Sequence, residues 1–180
     1  MTEIQDRKKG GPLLYDFDFR HLAGTDMRQF NDQHINDMVE LIAHNINKIC
    51  KSENIEPFPL FVFYKDNIND VGNCVKDGIH MIIGLKMKHS TQILLRETIL
   101  KEIGVVLEDI RSTLCKDNTP EMIIDEGVCR GEVGWQMYGS SKPGHEAYKL
   151  RSYYQIRFTK LEDDDDIDFS DDDCEEGEEE

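Results

Sequence analysis

The chain has 180 residues, of which 38% are apolar and 8% aromatic, and its formal net charge is −16. This length is enough to bury one ordinary hydrophobic core and hardly two, so we expect one folded domain. Five widely spaced cysteines without a CxxC pair exclude a disulfide scaffold, the amino terminus lacks the apolar stretch of a signal peptide, and no apolar run approaches a membrane span, so we expect an intracellular protein without a membrane partner.

The negative charge is concentrated at the carboxyl end. Residues 161–180 contain fourteen acidic residues and no basic one, which leaves residues 1–160 with a formal charge of about −2. The charge of the body therefore neither supports nor excludes a nucleic-acid partner. We divide the chain into a polar amino-terminal segment (1–11), a core (12–160) and an acidic tail (161–180) that is too poor in apolar residues to fold alone and is expected to be disordered.

Hydrophobic periodicity predicts the secondary structure of the core. The predicted elements, in chain order, are a strand at 12–19, a helix at 31–51 capped by Asn31 or Asp32, strands at 60–64 and 79–85 around a polar loop at 65–78, a helix at 90–111, a short strand at 122–124 and a last strand at 148–158. Together they predict an α+β fold in which helices pack on a mixed β-sheet and acidic residues lie at strand ends.

Two aspartates, Asp16 and Asp18, lie two residues apart in the first predicted strand. Alternate side chains of a strand share a face, so both carboxylates should point the same way, while Phe17 and Phe19 indicate that the other face is buried. Adjacent carboxylates repel each other unless a cation joins them, and their oxygens suit Mg²⁺ or Mn²⁺. Two acids on a solvated strand face are the alternative. The aromatic neighbours favour a two-metal site for phosphoryl transfer.

A histidine, His80, is the second residue of the strand predicted at 79–85, directly after the turn KDG at 76–78. A histidine in such an apolar run is often a hydrogen-bonded core side chain. If Ile79 and Met81 face the core, however, the imidazole shares the polar face with the two carboxylates. In that position it could bind a nucleotide phosphate.

A third acid, Asp125, directly follows the short strand predicted at 122–124, and a turn rich in glycine and serine lies further on at 139–144. The small residues Ser140 and Ser141 would let the backbone approach a phosphate, and Lys142 would add a cation. The pattern G-x-x-x-x-G-K-[ST] is absent, which disfavours a P-loop NTPase. An ordinary surface turn is the alternative for 139–144.

The most basic stretch of the chain, residues 142–160, also contains four aromatic residues. Basic and aromatic side chains together suit a nucleic-acid strand, through phosphate contacts and base stacking, and the predicted contacts are Lys149, Arg151 and Arg157. A strand with a solvated basic face is the alternative. The acidic tail that follows is either a solubilising appendage or a mimic of nucleic acid that competes for this stretch.

Taken in chain order, the segments PLLYDFDFR, KDGIHMIIGL, MIIDEGV and WQMYGSSKPG resemble the archaeo-eukaryotic primase (AEP) domain, in the form found in primase-helicases of large nucleocytoplasmic DNA viruses and their poxvirus relatives. The resemblance spans residues 11 to about 160 and rests on four motifs in the expected order. It implies an RRM-like catalytic core in which Asp16, Asp18 and Asp125 are catalytic and hold two Mg²⁺ or Mn²⁺ ions. The implied nucleotide contacts are Gly78, His80, Ser140, Ser141 and Lys142.

One position departs from the pattern of the superfamily. Gly78 stands where many members have serine, so one hydroxyl contact to phosphate is expected to be missing.

The resemblance implies a DNA primase or primase-polymerase, a nucleotidyltransferase that makes primers for viral DNA replication. The implied partners are a single-stranded DNA template, nucleoside triphosphates and a superfamily-3 helicase acting in cis or in trans. A viral member would work in the host cytoplasm, a virus factory or the nucleus. Two alternatives stay open, namely a two-metal nuclease and an inactive or partial primase fold that serves as an interaction module.

Overall fold

The computed structural model describes residues 2–6, 8–50, 55–136, 138–158 and 169–171. The strands are β1 (Thr2–Glu3), β2 (Gly11–Leu22), β3 (Phe58–Tyr64), β4 (Asn69–Asp70), β5 (Cys74–Met87), β6 (Trp135–Gln136), β7 (Lys149–Ile156) and β8 (Phe169–Asp171). The helices are α1 (Asp32–Cys50), α2 (His89–Val106), α3 (Pro120–Ile123) and α4 (Glu126–Cys129), with a 3-10 turn at Arg111–Thr113.

The main sheet has the strand order β2-β5-β3-β7-β8, with β4 paired to β5, while β1 and β6 form a small separate pair. The α+β class is confirmed. Within the described residues, however, every strand pair is antiparallel, so the sheet is not mixed as predicted. The reason is that β5 inserts between β2 and β3, and these two strands of equal direction never become neighbours.

The two long helices cover one face of the sheet. The predicted first helix is confirmed, with Asn31 as its cap, since the Asn31 Oδ1 accepts from the His34 N–H at 3.2 Å. The second predicted helix ends earlier than expected, at Val106, and Leu107 and Ile110 reach the core from the turns that follow. Both helices share one hydrophobic core with the sheet.

Strand β2 is longer than the strand predicted at 12–19, and its side chains alternate. The odd-numbered residues from 13 to 21 are buried, whereas Asp16, Asp18 and Arg20 are partly exposed on the opposite face. The predicted common face of the two aspartates is therefore confirmed. Their expected position at a strand end is wrong, because β5 pairs with β2 along its whole length and places both aspartates in the middle of the strand.

The polar loop predicted at 65–78 is shorter than expected, because β5 already begins at Cys74 and β4 lies within the same stretch. The polar residues at 76–78 fit within strand β5 because each is either partly exposed or paired. Lys76 and Gly78 lie on the partly exposed face, and the buried Asp77 is paired with Arg28.

The strand predicted at 122–124 is wrong, and a short helix, α3, stands there instead. Pro120 occupies the first turn of this helix, where its missing N–H costs no hydrogen bond. Only Ile124 forms an isolated antiparallel bridge, to Phe17. Asp125 is the N-cap of α4 and does not end a strand.

The last predicted strand is confirmed as β7. Most of the tail predicted to be disordered lies outside the described residues, but Phe169–Asp171 forms β8 and pairs with β7, so this part differs from the expectation. No helix in the described part of the chain is long and apolar enough to cross a membrane.

Candidate active site

A polar face runs along the β2–β5 ladder, on the side opposite the long helices. The cross-strand pairs on this face are, in order, Asp16 with His80, Asp18 with Gly78, and Arg20 with Lys76. A cavity of about 920 Å³ lies against the face and is lined by all six of these residues. The ladder therefore presents carboxylates, an imidazole and two cations to one space.

The two aspartates of β2 are only partly accessible, with side-chain exposures of 29% for Asp16 and 37% for Asp18. Burial raises the pKa of Asp18, and the negative charge of Asp16 adds to this effect. Lys76 and Arg20 act in the opposite direction. The charged form of Asp18 is thus disfavoured in the protein alone, chiefly because the carboxylate is removed from water.

The third predicted aspartate, Asp125, lines the same cavity. Its backbone N–H donates to the Asp16 carbonyl at 3.0 Å, which fixes it against β2. Its Oδ1 accepts from the Gly127 N–H at 2.8 Å and so caps α4. The structure therefore brings all three predicted metal ligands to one cavity from distant parts of the chain.

Within the described residues, no three His, Cys, Asp or Glu side chains are close enough together to hold a metal ion as they stand. The donor set nevertheless consists of carboxylate oxygens, which suit Mg²⁺ or Mn²⁺. A cation beside Asp16 and Asp18 would also favour the ionised form of Asp18, whose pKa is raised chiefly by burial. The chemistry of the site thus fits a divalent cation, and the two-metal site with Asp125 as a ligand remains a prediction.

The His80 side chain faces the cavity from a tight enclosure, and its position on the polar face is confirmed. The Nε2 atom lies 3.4 Å from the Asp16 Oδ1. Tyr148 stacks on the imidazole with ring centroids 3.5 Å apart and an interplanar angle of 15°, and the Trp135 ring centroid lies 4.5 Å away. These two aromatic rings fix the plane of the imidazole beside the carboxylates.

Gly78 has little space for a side chain in this arrangement. A Cβ at this position would lie 3.0 Å from the Phe17 carbonyl oxygen and 3.0 Å from the Tyr148 hydroxyl. The Tyr148 hydroxyl therefore occupies the region into which a serine at position 78 would project. Burial, followed by the charges of the nearby aspartates, raises the pKa of Tyr148, so this hydroxyl keeps its proton at neutral pH.

We expect Gly78→Ser to reduce the free energy of unfolding by about 1 kcal/mol, because either Tyr148 or the β2 backbone must move aside. Adding Tyr148→Phe, which removes the hydroxyl, should restore part of that loss. Urea unfolding of the two single variants and the double variant gives the coupling energy. Strictly additive effects would contradict the contact.

The Gly-Ser turn contributes less than expected to the cavity. Lys142 lines the cavity, and its contact with a nucleotide stays a prediction. Ser140 and Ser141 are not among the described residues that line it, and the Ser140 carbonyl accepts a hydrogen bond from the Gln136 side chain. A role for the two serines in nucleotide binding stays a prediction without geometric support.

The basic stretch is partly neutralised by Asp66. The Lys149 Nζ lies 2.6 Å from the Asp66 Oδ2, and Arg151 pairs with the other oxygen of the same carboxylate. Arg157 is exposed just beyond β7. Of the three predicted nucleic-acid contacts, Arg157 is therefore the one for which the structure shows no carboxylate partner in the described residues.

Two cations of the site were missed by sequence analysis. Arg20 and Lys76 lie opposite each other, and the Arg20 Nη2 is 3.3 Å from the Asp18 Oδ2. Like charges in a direct cross-strand pair are unfavourable by themselves, so this end of the face suits an anion. Continuing the two-residue alternation from Asp18 and from His80 along each strand would have found both residues.

Arg96 was also missed, and it holds the segment that leads to Asp125. Its guanidinium donates to the Ile124 carbonyl at 2.9 and 2.7 Å and to the Glu121 carbonyl at 2.9 Å. The residue is 6% exposed and belongs to α2. No local sequence signal indicates this role, because an arginine within a helix usually has a solvated head group.

Comparison with protein families matches residues 1–154 to the C962R protein N-terminal AEP domain. A comparison with curated proteins finds no match. The matched region contains the cavity and every predicted site residue except Arg157.

Proposed function

Because the chain belongs to the family of the C962R protein N-terminal AEP domain, we propose that it is the catalytic core of a DNA primase or primase-polymerase. Membership of this primase family supports a primase-type function. The finer proposal is a metal-dependent nucleotidyltransferase that copies a single-stranded DNA template to make primers for viral DNA replication. The proposed partners are this template, nucleoside triphosphates and a superfamily-3 helicase in cis or in trans.

The observation that supports this function best is the distribution of charge in one cavity. Asp16, Asp18 and Asp125 line it together with the cations Lys76 and Lys142. A nucleoside triphosphate needs both kinds of group, since the carboxylates bind its divalent ions and the cations bind its phosphate oxygens. A cavity of about 920 Å³ is large enough for a nucleotide.

In the proposed reaction, a hydroxyl oxygen of the growing strand attacks the α-phosphorus of the incoming triphosphate, the hydroxyl proton is released to water, and the bond from that phosphorus to pyrophosphate breaks. Divalent ions, when bound, would activate the hydroxyl and neutralise charge on the leaving group. The protein contributes positioning. The β2–β5 ladder holds Asp16 beside His80, and Arg96 together with the Asp16 carbonyl holds Asp125.

We expect His80→Ala to raise the KM for the incoming nucleotide by about tenfold, because a hydrogen bond to a charged phosphate is lost. The effect on kcat should be smaller. Steady-state kinetics with varied triphosphate concentration measures both, and His44→Ala, an exposed histidine of α1, is the matched control. An unchanged KM would exclude His80 as a nucleotide contact.

Extension of a labelled primer on a DNA template separates the proposed activity from that of a nuclease. With triphosphates and Mg²⁺ or Mn²⁺ we expect the primer to lengthen, and without triphosphates we expect it to stay intact. Shortening of the primer in both reactions would assign the carboxylates to hydrolysis. Binding of the template without either change would favour an interaction module.

A further inference from the structure

The registers of four adjacent strands align two rows of side chains across the face of the sheet that carries the active site. The row at the carboxylates contains, from β2 to β7, Asp16, His80, Phe63 and Leu150. The next row contains Leu14, Ile82, Phe61 and Tyr153. A row of uncharged aliphatic and aromatic side chains therefore lies directly beside the proposed catalytic row, on the same face.

The two ends of the apolar row differ in how they are covered. Leu14 and Ile82 pack with Trp135 in a small second cluster. Phe61 and Tyr153 belong to neither hydrophobic cluster and are partly exposed. They form a direct cross-strand pair with ring centroids 5.4 Å apart. We call these two residues the aromatic pair.

A second pair of rings links the aromatic pair to the cavity. Phe63 lies opposite His80 in the register of β3 and β5, and the Tyr138 ring centroid is 5.8 Å from that of Phe63. Tyr138 is 70% exposed, although a large aromatic side chain usually finds cover. Aromatic rings thus follow one another from the His80 imidazole to Phe63 of β3, which is buried, and to Tyr138, which is exposed.

We propose that the aromatic pair, Phe61 and Tyr153, is a stacking platform for unpaired bases of the single-stranded template. This inference rests on the proposed function, because it places the template on the same face as the nucleotide site. Aromatic rings stack on any base and so suit a template of any sequence.

Two cations near this surface can contact a nucleic-acid strand, whereas Asp171 of β8, opposite Tyr154 of β7, has the other sign. Lys142 lines the cavity four residues beyond Tyr138, and Arg157 is exposed at the end of the strand that carries Tyr153. Both cations can supply contacts to the phosphates of a bound strand.

The test is binding of a fluorescein-labelled oligothymidylate to the full chain, measured by fluorescence anisotropy without metal ions or triphosphates. We expect Phe61→Leu and Tyr153→Leu each to weaken binding about tenfold. Tyr153→Phe, which keeps the ring and loses only the hydroxyl bonded to Gln155, should keep most of the affinity that Tyr153→Leu loses. Leu94→Ala, an exposed apolar position on α2, is the control and should bind like the wild type.

Two features distinguish stacking from a general loss of charge or fold. The loss should be the same at low and high salt, because no phosphate contact is removed. In addition, an oligonucleotide containing 5-iododeoxyuridine should crosslink to Phe61 or Tyr153 on irradiation. Thermal unfolding of each leucine variant confirms that the fold is retained.

Unchanged affinity in the double variant Phe61→Leu/Tyr153→Leu would overturn the platform. A wild type that self-associates through this surface, with DNA affinity unaffected by the leucine variants, would overturn it as well. Because the binding reaction contains no triphosphate, the outcome is independent of catalysis. If the wild type makes primers but the leucine variants bind DNA normally, only the stacking platform is contradicted. If the leucine variants bind DNA more weakly but the wild type makes no primers, only the proposed activity is contradicted.

Discussion

Asp16→Asn should abolish nucleotide incorporation by the full chain while the protein remains folded. The substitution keeps the shape of the side chain and removes the charge that the proposed divalent ions require. Because such ions supply several kcal/mol of transition-state stabilisation, we expect incorporation to fall by about three orders of magnitude or more. Incorporation of labelled nucleotides on a primed template measures this loss.

The same loss is expected for Asp125→Asn, since Asp125 lines the same cavity. Asp26→Asn, an exposed carboxylate outside the cavity, is the matched control and should keep full activity. Substantial incorporation by Asp16→Asn would remove the carboxylates from the proposed mechanism.

Replacing the neighbouring carboxylate, Asp18, should leave the stability of the protein unchanged or increase it. Burial raises the pKa of Asp18, so its ionised form lowers stability at pH values above the unfolded pKa of about 4. Asp18→Asn should therefore be at least as stable as the wild type at pH 7. The difference should shrink as the pH falls through the raised pKa of the folded state and vanish at about pH 3, where the carboxyl is protonated in both states. Thermal unfolding at the two pH values checks this, and a less stable variant at pH 7 would contradict it.

Asp77→Ala should cause the largest loss of stability, about 3 kcal/mol, because it leaves the Arg28 guanidinium without its counter-ion. The Asp77 side chain is 2% exposed, and its two oxygens accept from Arg28 at 2.8 and 3.1 Å. The same guanidinium lies over the rings of Phe30 and Tyr64 and donates to the Lys65 carbonyl. Removing the carboxylate thus affects several contacts at once.

Urea unfolding measures this effect, with Asp66→Ala as the control. Asp66 pairs with Lys149 and Arg151 at the surface, where ion pairs contribute little to stability. Asp77 lies between Lys76 and Gly78 in β5, so its loss should also disturb the polar face that is proposed to bind the nucleotide. Equal unfolding midpoints for Asp77→Ala and Asp66→Ala would contradict the role assigned to the buried pair.

Sequence periodicity was sufficient to place Asp16, Asp18 and His80 on one face. In a strand the side chains alternate strictly, so the aromatic residues of β2 and the apolar residues around His80 were enough to assign the opposite, polar face. Helix α1 could be predicted equally well, because its buried residues recur at intervals of three and four residues.

The backbone conformation of the segment before Asp125 could not be predicted in the same way. The run 122–124 is apolar and short, and such a run fits a strand as well as a buried helical turn. The helical conformation depends on Arg96 of α2, which donates hydrogen bonds to the carbonyls of Glu121 and Ile124. A hydrogen bond between residues distant in the chain leaves no periodic signal.

The early start of β5 was missed for a related reason. Lys76, Asp77 and Gly78 have the composition of a turn. Asp77 is tolerated in the strand interior only because Arg28 approaches it from the connection after β2. Tertiary contacts of this kind decide where a polar segment is extended and where it is a loop.

The most direct test of the central claim is primer synthesis on a circular single-stranded DNA with Mg²⁺ or Mn²⁺ and labelled nucleotides. The full chain is compared with the variant Asp16→Asn/Asp18→Asn, and ribonucleotides and deoxyribonucleotides are supplied in separate reactions. We predict template-dependent products with the wild type and none with the variant. Products that persist in the variant, or a folded wild type that makes none with either metal, would contradict the proposal that this cavity catalyses nucleotidyl transfer.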